Sequence, residues 1–144
     1  MKSQYMLSVA ALMASLSLVA CGDDSSSASE DFVCDVQETA TTVEVTQILK
    51  GWGSYRETGT LRNGIIYFVQ EYDFESSTDA AEECRYAKKE AASWGDGSVQ
   101  VTCDGRRVIR EDYSETDDIA GYAADQREQC EEIIERYNSG ELFD

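Results

Sequence analysis

Four cysteines, a large excess of carboxylates and two tryptophans are the side chains whose types and spacing could do chemistry, and there is no histidine to work with them. Without an imidazole the chain lacks the commonest general base, the Ser-His-Asp and Cys-His nucleophile systems and every histidine-ligated metal site. Neither a phosphate-binding G-x-x-x-x-G-K-S/T or G-x-G-x-x-G loop nor a G-x-S-x-G nucleophile elbow occurs. Cys34, Cys84, Cys103 and Cys130 form an even set with no close C-x₂₋₄-C pair. In an exported chain such a set reads as two disulfides, in preference to a four-cysteine zinc site or an unpaired nucleophile.

Asp and Glu number 29 against 12 Lys and Arg. A carboxylate pair is what glycoside hydrolysis requires, but at this density two neighbouring acids are expected by chance. Two acidic runs, Asp73-Phe74-Glu75 with Asp79 and Asp112 to Asp118, offer oxygen ligands of the kind calcium takes. Neither has the alternating acids, central glycine and terminal Glu of an EF-hand loop. Both precede predicted helices, where acids are favoured by the helix dipole and by capping. No metal and no cofactor is expected.

Trp52 lies between Gly51 and Gly53, with Tyr55 close by. Glycine neighbours leave ring faces accessible, and exposed Trp and Tyr rings stack on sugars or anchor protein interfaces. Trp52 and Tyr55 are therefore the candidate ligand-binding pair; the competing reading is that Trp52 folds back to cap the core. Trp94 falls in a helical stripe and reads as core.

The elements that position these groups follow from periodicity. Phe32 to Leu49 alternates as two short strands with a bend near Thr39 to Thr41. Gly51-Trp52-Gly53 breaks the pattern as a turn or loop. Ser54 to Arg62 and Ile65 to Phe74 flank Asn63-Gly64, the signature of a tight hairpin. Ile65 to Val69 is apolar on both faces, which predicts a central strand covered on both sides over part of its length. From Asp79 to Trp94 the period becomes helical, with Ala80, Cys84, Ala87, Ala91 and Trp94 on one stripe, capping residues from Ser76 to Asp79, and Gly95 as the stop. Val99, Val101 and Cys103 lead into Asp104-Gly105 and a second hairpin with Val108 and Ile109. A second helix spans about Thr116 to Tyr137, with Ile119, Tyr122, Ala123, Gln126, Cys130, Ile133 and Tyr137 facing the core.

The predicted fold is α+β: an antiparallel sheet of about five or six strands with two amphipathic helices on one face, in the order strands, hairpin, helix, hairpin, helix. The two hairpin-helix units suggest a degenerate ββα repeat. Reach selects the disulfide pairing. From Cys84 the helix climbs about 15 Å to Trp94, and the strand from Ser98 returns roughly 17 Å to Cys103, so these two end side by side across the layers. Cys34 is left to Cys130.

Cys21 has a different role. Lys2 is followed by an apolar run from Tyr5 to Ala20, broken only by Ser8, Ser15 and Ser17, then by small residues before Cys21. This is the layout of an export signal, and the run is too short and too polar for a transmembrane helix. Leu18-Val19-Ala20-Cys21 resembles the lipobox of bacterial lipoproteins. The resemblance implies that residues 1–20 are cleaved and that Cys21 is acylated on its sulfur and its new amino group. Several acyl chains on one residue anchor far more firmly than one. Residues 21–31 then read as the acylated cysteine and a flexible acidic, Ser-rich tether, and 32–144 as a single domain. Asp23-Asp24 loosely resembles the acidic signal that sends some lipoproteins to the outer face of the outer membrane.

Cleavage removes Lys2 and makes the side-chain balance one unit more negative than the −17 of the whole chain. That charge repels nucleic acid and anionic headgroups. The expectation is a lipid-anchored cell-envelope protein of the outer membrane, acting as a non-enzymatic surface binding or adhesion module with a protein or glycan partner. A small protein-binding inhibitor or envelope-assembly factor is the alternative, and a carboxylate-based glycoside hydrolase is the third class.

Overall fold

A computed structural model describes residues 31–140. The lipobox, Cys21 and nearly all of the tether lie outside the described residues. The elements run β1 (Phe32–Glu38), β2 (Thr42–Leu49), β3 (Gly53–Arg62), β4 (Ile65–Phe74), α1 (Ser77–Trp94), β5 (Gln100–Asp104), β6 (Arg107–Ser114) and α2 (Ile119–Asn138). The six strands form one antiparallel sheet in the order β1-β2-β3-β4-β6-β5. This is the predicted α+β architecture, with six strands and both helices on one face.

Local chemistry sets the turns. The β1–β2 bend is closed by Thr39, whose N–H donates to the Thr42 carbonyl at 2.9 Å and whose hydroxyl accepts from the Thr42 N–H at 3.0 Å. Asn63 and Gly64 sit at φ 53° and 75° between the paired Arg62 and Ile65, the two positive-φ residues that a type I′ hairpin needs. In the second hairpin Asp104 pairs with Arg107, so the two loop residues are Gly105 and Arg106, one step later than Asp104-Gly105. The positive φ, 59°, falls on Gly105, which has no Cβ to oppose it.

Period-2 alternation sends one set of side chains from every strand to the helix side: Phe32 and Cys34, Val43 and Val45, Tyr55 and Glu57, Ile66 to Phe74 at even positions, and Val108 and Arg110. Helix α2 covers β1 and β2, while α1 covers β4, β5 and β6, so the helices lie over opposite halves of the sheet. Gly59 lies beneath this layer. A Cβ there would come within 2.9 Å of the Phe68 ring and 2.8 Å of Val43 Cγ1, so glycine is what allows these side chains to close over β3. The stripe read for α2 is the stripe that is buried, but the helix starts at Ile119, after an Asp118 cap whose carboxylate accepts from the Gly121 N–H at 2.9 Å. Ser76 caps α1 and Gly95 ends it at φ 69°.

Disulfides join Cys34 to Cys130 and Cys84 to Cys103, with Cα separations of 5.9 and 6.1 Å, as the reach of the elements predicts. Each ties a helix to an edge strand, α2 to β1 and α1 to β5. One expectation is corrected. β4 is central but is covered on one face only, and Tyr67 and Val69 on its other face are 42% and 36% exposed.

Candidate functional site

Two regions concentrate polar or exposed groups, and they lie on opposite faces of the sheet. Beneath the helices, Glu57, Gln70 and Arg110 are successive cross-strand neighbours on β3, β4 and β6, and all three are buried. Glu57 Oε2 accepts from the Tyr55 hydroxyl at 2.8 Å and from Gln70 Nε2 at 2.6 Å, and its Oε1 accepts from the Tyr122 hydroxyl. Arg110 donates to Glu90 of α1 at 2.6 Å and lies 3.8 Å from the Asp112 carboxylate.

Burial, then the Glu57 charge, pushes the Tyr55 and Tyr122 phenols well above their ordinary range. Burial also raises Tyr72, with the Glu83 charge next in importance. All three therefore stay protonated, and Tyr55 and Tyr122 donate to Glu57. Glu57 and Asp112 are two buried carboxylates, the pairing a hydrolase would use. Yet both oxygens of Glu57 are filled by protein donors and Asp112 stands beside the Arg110 guanidinium. The row thus binds helices to sheet: Tyr122 links α2 to β3 through Glu57, and Glu90 links α1 to β6 through Arg110. At its margin Glu83 on α1 has its carboxyl raised, by burial first and by the neighbouring Glu90 second, with Arg110 opposing.

Trp52 and Tyr55, the predicted ligand-binding pair, do not form an exposed platform. The half-buried Trp52 indole packs edge-on against Phe74 at 4.6 Å between ring centroids. Its backbone is fixed as well: the N–H donates to the Leu49 carbonyl at 3.0 Å, and the carbonyl accepts from the Glu75 N–H at 2.8 Å. Tyr55 is 3% exposed, tilted against Tyr72 at 4.9 Å. The reason is register. Odd positions of β3 face the helices, so Tyr55 points into the core, and Trp52 folds back over the same cluster.

The exposed rings lie elsewhere. On the helix-free face Tyr67 of β4 stands opposite Tyr113 of β6, with centroids 6.4 Å apart, and Val69 and the half-buried Ile65 and Ile109 continue the apolar centre. Thr58 and Thr60 of β3 flank it. Farther along the same face an open pocket of about 290 Å³ is lined by Thr46, Ile48, Ser54, Arg56, Glu71 and Arg107. Ile48 is 45% exposed. Arg56 pairs with Glu44 at 3.1 Å and Arg107 with Glu71.

Sequence reasoning missed this face, although its signal was present in the doubly apolar run Ile65 to Val69. Along the chain such a run fits two-sided burial equally well, and only the placement of both helices on one face excludes it. Among the described residues no three acidic or cysteine side chains converge on a point that could hold a metal ion, and no helix is long and apolar enough to cross a membrane. Compared with protein-family models, curated proteins and solved structures, the chain matches none.

Proposed function

We propose that this chain is a lipid-anchored cell-envelope protein that binds another protein through the helix-free face of its sheet and catalyses no reaction. The lipobox-like Leu18-Val19-Ala20-Cys21 supplies the anchor, and the acidic tether gives the domain reach from an outer-membrane surface. The observation that carries the binding role is the solvent-exposed cluster of Tyr67 and Val69, beside Tyr113 and Ile109, at the centre of the sheet. Apolar side chains grouped on a rigid, otherwise polar surface are a frequent mark of an interaction site. A protein fits better than a glycan, because the aliphatic groups beside the rings cannot hydrogen-bond sugar hydroxyls. An inhibitor or envelope-assembly factor would use the same face and differ only in partner.

The test is Tyr67→Ala combined with Val69→Ser in the tagged full-length chain. Tyr67→Ala gives up the contact with Tyr113 and both changes lower β-propensity on an inner strand, so each should cost about 1 kcal/mol and leave the chain folded. Losing a hot-spot tyrosine weakens binding by about 2 kcal/mol. Chemical crosslinking in intact cells should therefore show a wild-type adduct that the double variant loses, with both chains still folded at the temperature of the assay. An adduct of equal yield in both would remove the helix-free face from the argument.

A further inference from the structure

The charges on the helix-free face say more about its partner, provided the protein-binding reading holds. We infer that the partner is a cationic protein, seated with its apolar contacts on Tyr67, Val69 and Ile109 and its basic groups over an acidic rim. Around the apolar centre, Glu111 stands opposite Val69, Asp73 lies two steps beyond Glu71 on β4, and Asp104 closes the face at the β5 end. The cations on the same face are Arg56 and Arg107, which pair with Glu44 and Glu71, and the exposed Arg62 opposite Ile65 at the end of β3. Arg107 also stands between Asp73 and Asp104 in the register. Among the described residues no salt bridge reaches Asp73, Asp104 or Glu111. Glu44, Glu71, Asp73, Asp104 and Glu111 thus face Arg56, Arg62 and Arg107, and the rim keeps a net negative field.

An apolar centre inside a charged rim is the anatomy of a protein interface, and rim charges steer and select partners of the opposite sign. The whole molecule acts in the same direction. Its balance of −17, one unit lower after signal cleavage, opposes a second copy of this chain on the same face.

The area suits one moderate partner. Five strand gaps of about 4.8 Å and eight residues of about 3.4 Å give a face of roughly 24 by 27 Å. That is somewhat under the roughly 800 Å² that each side of a standard interface contributes. The geometry fits a reversible complex with a separate protein.

The experiment places the photo-crosslinking residue p-benzoylphenylalanine at Thr58, outward beside Val69, and separately at Ala92, exposed on α1 over the other face. The full-length anchored chain is used in isolated envelopes, and each variant is first checked for an unchanged melting temperature. The expected result is a Thr58 adduct with a protein of net positive charge. Its yield should fall about tenfold between 50 and 300 mM salt, following the Debye screening of rim charges, and Ala92 should give none. Asp73→Lys with Glu111→Lys should lower the Thr58 yield by a similar factor. A Thr58 adduct with an acidic or neutral protein, an adduct between two copies of the chain, or a yield indifferent to salt and to charge reversal overturns the cationic partner. The acidic or neutral adduct and the indifferent yield leave the protein-binding face standing, and the adduct between two copies replaces the separate partner with self-association. Absence of any Thr58 adduct, whatever Ala92 captures, removes the binding face and the inference with it.

Discussion

Trp52 is partly buried against Phe74 and the cluster beneath it, so its role should be read in folding stability. Truncating a fully buried tryptophan costs about 3 to 5 kcal/mol, and a half-buried one should cost about 2 kcal/mol. Urea unfolding of Trp52→Ala checks this; an unchanged midpoint would restore the exposed-ligand reading of the residue. Glu83 gives a test of opposite sign. Burial and the Glu90 charge raise its carboxyl in the folded state, so the folded chain holds a proton that the unfolded chain releases first. The stability tied to that proton is fully present below the ordinary carboxylate pKa and is lost as pH rises through the raised value. Glu83→Gln should therefore match the wild type at about pH 3.5, below the ordinary Glu value, and melt higher at neutral pH. A variant that melts lower than wild type at neutral pH would show that the Glu83 charge is held favourably.

At the scale of elements, the disulfides divide the work unequally. Cys34–Cys130 closes a separation of 96 residues and Cys84–Cys103 one of 19. Chain-entropy reasoning gives about 4.7 kcal/mol for a loop near 100 residues and about 3 kcal/mol for one near 15. Replacing Cys34 and Cys130 by Ala should thus cost more than replacing Cys84 and Cys103, and should free α2 from the β1 edge. Denaturant unfolding of the two double variants decides it, and a larger loss from the shorter loop would contradict the account. The elements themselves were legible because each carries redundant local signals. Strand alternation ends at Asn63-Gly64, and the α1 stripe is bounded by a Ser76 cap and a Gly95 stop. The second hairpin turn was misplaced by one residue because Asp104-Gly105 and Gly105-Arg106 both offer the glycine that positive φ requires. Only pairing with β6 chooses between them.

At the scale of the whole molecule, the described residues form a sheet with both helices on one face, and the proposed anchor lies N-terminal to them. The acylation expected at Cys21 is tested by metabolic labelling with a fatty acid. Cys21→Ser should carry no label and give an uncleaved or soluble product, because the thiol is the acyl acceptor. Label retained by the variant would put the anchor elsewhere. The net charge of −17 opposes close approach of two copies of the chain.

Sequence alone determined what is local or additive in this protein: absence of imidazole chemistry, the acidic balance, the strand and helix periods, and the pairing of four cysteines by reach. These depend on neighbours within a few residues or on the length of one element. What it could not determine was which apolar groups would find cover. Tyr55 and Tyr67 look alike along the chain, but β3 register turns Tyr55 to the helices and β4 register turns Tyr67 to water. The buried line of Glu57, Gln70 and Arg110 likewise exists only because β3, β4 and β6 lie side by side, bringing together residues far apart in sequence. Tertiary structure decided both, because two helices placed on one face leave the other face of the same sheet in water.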